Sequence, residues 1–428
     1  MPTSIDVMGG VRSCLMRAAD AGATSVATYG IPLLILTTTG STALTGLMFL
    51  LEWLPRLMAF TIGGPLVDRY GAGRIFRTVT TMRTLLMALA AIALLTVPTT
   101  SPVATSIVMV VGAAGGLLGQ ASFVAVETIG GHISHQAGDQ AHRVQAVQVT
   151  VDQGALLVGP LLGGLLLLAG PSALLIGVAG MSLAASVSTS ATDIMGPPST
   201  SRPAWGEVLT SVRSGWRTVR GIPALGWLVT GLVASNLAVA VAQASSPITV
   251  LHHYGRSALA AGTVWSAAGV VSLGAVAVCR TAIPRWGLWP VGTLAAAAAC
   301  IACTVAAIVS SFAAYAAAIG LLMAGEGALT VVLRTLRTRL IPAQVFGATL
   351  SVTILLVVIP IPLAGLLVAA LPATSVSALL LACSGLQAVV MTAALHGLWR
   401  HRASYSLPPA TAADELMPAT STRPHSTA

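Results

Sequence analysis

Leu54-Pro-Arg-Leu-Met-Ala-Phe-Thr-Ile-Gly63-Gly64-Pro-Leu-Val-Asp68-Arg69-Tyr-Gly71-Ala-Gly-Arg74 joins the end of one apolar run to the start of the next through a short basic loop. Its glycines let two helices approach closely, and one carboxylate, Asp68, sits among arginines. The same alternation extends outward in both directions. Twelve apolar runs lie near 17–38, 42–66, 78–97, 103–127, 144–168, 172–192, 224–250, 258–279, 289–310, 312–333, 344–369 and 374–397. A helix crossing a ~30 Å hydrocarbon core needs about 20 apolar residues, and these runs supply them.

Composition agrees with that count. Over 428 residues, 55% are hydrophobic and 8% charged, against about 25% charged in a typical soluble domain. Most of the surface must therefore face lipid, which predicts an all-α membrane protein of twelve transmembrane helices. No cleavable signal peptide is expected ahead of the first run, which belongs to the helical set. A net charge of +9 in a soluble chain would suggest nucleic acid. Here orientation accounts for it, and no nucleic-acid partner is expected. All 21 basic residues are arginine. If the N-terminus is cytoplasmic, Arg256 falls on the far side and Arg56 within the second run, and every other arginine lies on the near side. The positive-inside rule then puts both termini in the cytoplasm of a cell membrane. The absence of lysine reads as the mark of a GC-rich bacterial genome. Among the five cysteines, Cys300 and Cys303 form a CxxC in an alanine-rich run with no second ligand pair nearby. Small apolar packing explains it better than a metal.

The predicted organisation is a cytoplasmic N-terminus (1–16), a six-helix half (17–192), a cytoplasmic linker (193–222), a second six-helix half (223–399) and a disordered tail (400–428). The linker carries Pro197, Pro198, Trp205, Trp216 and four arginines, and the tail is rich in Pro, Thr, Ser and Ala. The halves read as repeats. Gly119-Gln120 corresponds to Gly325-Glu326 at an offset of 206, and Pro160 to Pro362 at 202. Pseudo-symmetric halves suit a site held between them.

At Gly64, Leu66, Asp68, Arg69, Gly71 and Arg74 the sequence resembles the major facilitator superfamily, whose Gly-x-Leu-x-Asp-Arg-x-Gly-x-x-Arg loop lies between its second and third membrane helices. The resemblance implies a transporter with a cytoplasmic gate at Gly64, Asp68, Arg69, Gly71 and Arg74. Thr39-Gly40-Ser41, Leu54-Pro55-Arg56-Leu57, the Trp205…Trp216…Pro223 linker and Leu333-Arg334-Thr335-Leu336 resemble the drug and siderophore exporters related to the enterobactin and macrolide exporters. Gly154-x-x-x-x-Gly159-Pro160-x-x-Gly163-Gly164 resembles the superfamily's antiporter motif. Proline removes a backbone hydrogen bond and kinks the helix, glycines permit close packing, and such a helix can switch packing as two halves rock. Ordinary small-residue packing is the plainer alternative. The chain departs from the pattern in Val126-Glu127-Thr-Ile-Gly-Gly-His132, which lacks a basic residue in the fourth helix, and in Phe346-Gly347-Ala348.

Charges within apolar runs cost several kcal/mol and each needs a reason. Glu52 and Arg56, at i and i+4, share a helix face and form either a static pair or a proton switch. Asp152 shares a polar face with Gln145 and Gln148. Asp20 lies beneath Thr24 and Thr28, as a solvated acid or a proton site. Glu127 is expected to bond Arg69 or Arg74. These observations make Glu52, Asp152, Arg56 and Asp20 the proton-coupling candidates. Trp53, Gln145, Gln148, Asn236, Gln243, Trp265 and Glu326 are candidates for the cavity wall. The functional expectation is proton-coupled efflux of an amphiphilic small molecule by a monomer in the lipid bilayer. Proton-linked uptake of a nutrient, with Glu326 in its favour, and a non-transporting membrane sensor or partner are the alternatives. No nucleophile–base or metal-ligand constellation and no Gly-x-x-x-x-Gly-Lys-Ser/Thr loop appears, so neither an enzyme nor a cofactor is expected.

Overall fold

The computed structural model describes residues 4–136, 141–189, 205–341 and 345–402. The surroundings of Gly64, the side chains of Asp68 and Gln145, most of the linker before Trp205 and the tail from 403 lie outside what it describes. The first half comprises α1 (Ser4–Thr39), α2 (Thr42–Tyr70), α3 (Ala72–Thr96), α4 (Pro102–Gln136), α5 (Ala141–Leu168) and α6 (Pro171–Ser188). After α7 (Trp205–Gly221), the second half comprises α8 (Pro223–Ile248), α9 (Ala258–Trp286), α10 (Leu288–Ile308), α11 (Phe312–Leu340), α12 (Phe346–Val358), α13 (Pro360–Ala369) and α14 (Val376–Arg400). No strand occurs among the described residues. Among the described residues, eleven helices are long and apolar enough to cross a membrane. The remaining segment, α2, is 29 residues long and carries Glu52 and Arg56 in its middle. With α12 and α13 taken as one broken helix, the bundle has twelve spans.

Local chemistry sets the boundaries. Ser41, Ser257 and Ser311 cap α2, α9 and α11, each side chain accepting from the amide three residues on. Gly71, at φ 86°, ends α2 and starts α3 in a conformation that other residues rarely adopt, which is why that loop needs glycine. Pro360 and Pro362 cannot donate backbone hydrogen bonds, so the eleventh run is interrupted after Val358. Asn236 Nδ2 donates to the Val357 carbonyl there, at 2.7 Å.

Successive spans run antiparallel, so α1 begins and α14 ends at the same end, the near end. Within the first half α1 packs on α4, α5 and α6, and α3 on α4 and α6; within the second, α8 packs on α14 and α11 on α9 and α10. Two seams join the halves, α2 against α13 and α5 against α9. Both close at the far end through glycine. A methyl on Gly46 would lie 2.7 Å from the Gly365 carbonyl oxygen and 2.8 Å from Ala369 Cα, and one on Gly365 would lie 2.8 Å from the Gly46 oxygen. On the other seam, a methyl on Gly262 would sit 2.9 Å from the Pro160 carbonyl carbon, and one on Gly164 3.0 Å from Leu259 Cα. Backbone thus meets backbone at the far end on both sides.

The helices extend beyond the apolar runs. α3 begins at Ala72, so Arg74 and Arg77 lie within it together with Arg83, which the third run already contained. Arg83 is fully buried on a stripe with Phe76, Thr80, Met87 and Ala90. The linker contains a helix, α7, which packs on α12. Its Val219 and Gly215 are buried while Arg213, Arg217 and Arg220 are exposed.

Candidate functional site

Between the halves, under the closed far end, lies a small cavity of about 30 Å³ lined by Thr28, Tyr29, Pro32, Leu33, Phe49, Gln243, Ser246 and Trp265. It is built from α1, α2, α5, α8 and α9. Trp265 packs beside Tyr29 with ring centroids 5.9 Å apart and donates its indole N–H to Ser246 Oγ at 2.8 Å. That bond fixes the ring, so the wall offers aromatic faces with neutral hydrogen-bonding groups between them. Gln243 and Trp265 were both expected here. Asn236 was expected beside Gln243, but its amide is committed to the break in the eleventh span.

One side chain links the cavity to the charges. Thr28 lines the wall and accepts from Arg56 Nη2 at 2.6 Å. Arg56 also pairs with Glu52, and both are buried. Trp53 lies under Arg56, its ring 4.4 Å from the guanidinium carbon, and packs on Phe49. Van der Waals packing holds the pair in place. A methyl on Gly116 of α4 would lie 3.1 Å from the Glu52 carbonyl carbon, so only glycine lets α4 pass so close.

Toward the near end two more buried arginines organise the first half. Arg83 donates to Asp20 Oδ1 at 2.6 Å, to Ser182 at 2.8 Å and to Thr24 at 3.0 Å, while Ser122 also donates to Asp20. Asp20 is 3% exposed, so it is an internal ion-pair member rather than a solvated acid. Arg17 donates to Asp152 at 2.5 and 2.8 Å, to Gln148 at 3.3 Å, and to Glu127. Glu127 was expected to bond Arg69 or Arg74. It meets Arg17 instead, because α1 rather than the loop passes beside the end of α4. Arg69 and Arg74 are exposed, and Arg69 stacks over Tyr70 at 5.1 Å. Sequence reasoning missed Arg17 and Arg83 by counting them as flanking charge. The buried spacing around Arg83 is the signal that could have found it.

The antiporter-type motif in α5 divides between two neighbours. Gly159 and Gly163 face α1, where methyls would lie 3.0 Å from the Ser25 carbonyl carbon and 3.4 Å from the Val26 oxygen. Pro160 and Gly164 face α9, and Gly154 faces open space. Glu326 lies away from the cavity. It is buried in α11, Ser235 of α8 donates to it, and Gln387 of α14 donates to Ser235 at 2.8 Å. Among the described residues, no group of three or more His, Cys, Asp or Glu could hold a metal ion.

The sequence profile described as Major Facilitator Superfamily matches residues 14–363. The chain belongs to the major facilitator superfamily. Solved structures of that fold agree. A point mutant of the nucleoside transporter NupG has a TM-score of 0.74 at 11% identity, covering 91% of this chain and 99% of that one. A bacterial homologue of the iron transporter ferroportin in an inward-facing state scores 0.70 at 15% identity, over 92% of this chain and 100% of that one. A bacterial homologue of ferroportin in an outward-facing state, with soaked iron, scores 0.61 at 15% identity, over 91% and 98%. No curated protein matches the sequence. A major facilitator transporter, not an enzyme, is therefore what the cavity and its buried charges belong to, and its substrate is a small molecule.

Proposed function

We propose that this transporter is a proton-coupled exporter of an amphiphilic small molecule, a drug, antibiotic or siderophore, acting as a monomer in the cell membrane with both termini cytoplasmic. The cavity wall carries this reading. Tyr29, Phe49 and Trp265 supply apolar faces while Thr28, Gln243 and Ser246 supply neutral polar groups, a lining suited to a molecule with both characters. Resemblance to the drug and siderophore exporters, and the antiporter-type glycines and proline of α5, support the outward direction.

With the termini inside, the closed far end is the outer face, as expected of an inward-facing transporter. The higher likeness to an inward-facing than to an outward-facing relative, 0.70 against 0.61, supports this state. In the proposed cycle the halves 17–192 and 223–399 rock about the cavity, tied by the linker 193–222, with the segment 400–428 as a trailing tail. The near-end α2–α3 junction with Gly64, Asp68, Arg69, Gly71 and Arg74 acts as the cytoplasmic gate. In the first half Glu52 and Asp152 hold Arg56 and Arg17. Arg56 in turn bonds Thr28 on the cavity wall, so a rearrangement of its pair during the cycle alters the binding site directly. One proton moving through 100 mV yields about 2.3 kcal/mol, enough for a roughly 40-fold gradient at ~1.4 kcal/mol per decade.

Everted membrane vesicles test the reading. Ethidium, erythromycin and enterobactin are offered in turn, with a pH-sensitive dye reporting proton movement. Accumulation of one of them coupled to proton release supports export. Movement of compound and proton in the same direction would establish uptake instead.

A further inference from the structure

Glu326 differs from the arginine-paired carboxylates of the first half. Asp20, Glu52, Glu127 and Asp152 each bond an arginine. Among the described residues no arginine bonds Glu326, which is 9% exposed and held by the Ser235 hydroxyl. Ser235 is itself held by Gln387 Nε2. Protonating an arginine-paired acid leaves a buried guanidinium uncompensated, which is costly. Protonating Glu326 removes a buried charge and breaks no ion pair. A second observation points the same way. Gln387 is fully buried, and its Oε1 has no hydrogen-bond partner. A buried acceptor without a donor therefore stands one side chain away from a carboxylate that can acquire a donor only by gaining a proton.

The neighbours are neutral. Cys300 and Cys303 of α10 are near enough to feel the Glu326 charge. Ser235 comes from α8, Gln387 from α14, and α9 brings Ser272 against Gly327. Glycines flank the acid on both sides. A methyl on Gly325 would lie 2.7 Å from the Ala295 carbonyl oxygen, and one on Gly327 3.2 Å from the Ser272 carbonyl oxygen. The helix carrying Glu326 thus lies backbone to backbone between α9 and α10, where a change of charge acts on packing directly.

We propose that Glu326 is the carboxylate on which the coupling proton loads, with Ser235 and Gln387 as positioning residues; this rests on the proton-coupled reading above. The proton comes from water, adds to a carboxylate oxygen, and leaves to water on the other side of the membrane.

Infrared difference spectra of the purified protein in lipid nanodiscs, in sodium-free buffer between about pH 5 and pH 9, test the site without a transport substrate. A protonated-carboxyl band should appear in the wild type and in Glu52→Gln and be absent in Glu326→Gln. Ser235→Ala should change the frequency of that band, because its hydroxyl touches the carboxyl; a merely structural role would leave it unmoved. If Glu326→Gln does not fold, Glu326→Asp and Ser235→Ala carry the same test through band frequency. A band unchanged in these variants, or abolished in the wild type by added sodium, overturns the assignment. A transport arm uses whichever of the three vesicle probes is carried. Glu326→Gln should lose gradient-driven accumulation, from the roughly 40-fold that one proton supports to none, while still exchanging probe across the membrane. A wild type indifferent to a pH gradient would defeat the proton-coupled reading itself, and the site with it. A wild type that responds together with an unaffected Glu326→Gln would overturn the site alone.

Discussion

Gly46→Ala should open the far end of the transporter. The new methyl would lie 2.7 Å from the Gly365 carbonyl oxygen, where ordinary contacts fall between 3.4 and 4 Å. The α2–α13 seam must therefore widen by about 0.7–1.3 Å at a point where both partners are backbone and no side chain can swing aside. Overpacking of this kind costs about 1–3 kcal/mol. The cost falls on the closed state alone, because in the open state the two glycines part. The helix-propensity gain of alanine over glycine applies to both states and cancels. At ~1.4 kcal/mol per decade the equilibrium should shift roughly 5- to 150-fold toward the far-open state. A membrane-impermeant maleimide reads the shift. With the five native cysteines replaced and Ser246→Cys placed in the cavity wall, the reagent is applied from the face opposite the termini. Gly46→Ala should label faster by that factor. Gly385→Ala, where a methyl meets nothing within 4 Å, is the control and should label at the parent rate. Equal labelling of Gly46→Ala and the parent would refute the claim that backbone contact at this seam holds the far end shut.

Other expectations follow from the same geometry. Arg83→Met leaves Asp20 buried without its arginine and should cost about 3–5 kcal/mol in thermal unfolding of the purified protein. Asp20→Asn added to it should recover much of that loss, and a double variant no more stable than the single would show that the ion pair is not the cause. Asn236→Ala frees the Val357 carbonyl at the helix break, a loss of about 1–3 kcal/mol, and should speed hydrogen exchange over residues 355–361; unchanged exchange would count against the role given to Asn236. Trp265→Phe keeps a ring beside Tyr29 but loses the bond to Ser246. It should bind a transported probe a few-fold more weakly by calorimetry, whereas Trp265→Ala should lose about tenfold; equal affinities would remove Trp265 from the binding wall.

Some of the site was legible from local pattern. Glu52 and Arg56 lie four residues apart on one helix, so their pairing needs only helical geometry. Gln243 and Trp265 announced themselves as polar and aromatic residues within apolar runs. Other residues resisted. Asn236 and Gln243 share a helix face, yet one fills a gap made by two prolines more than 120 residues away and the other lines the cavity. Glu326 looked like a cavity residue, because a charge in an apolar run signals function. Only the packing of α8, α9 and α10 around α11, with Gln387 of α14 behind Ser235, showed that it points into its own half.

The sequence by itself determined the class, the number of spans, the near-end concentration of arginine and the loop at Gly71. Each of these depends on composition or on residues a few positions apart. The tertiary structure decided which acid meets which arginine: Asp20 with Arg83, 63 residues on, and Arg17 with Asp152, 135 residues on. In a helical bundle those partners are set by which helix lies beside which. That follows from where glycines let backbones touch, and spacing along a single helix does not record it.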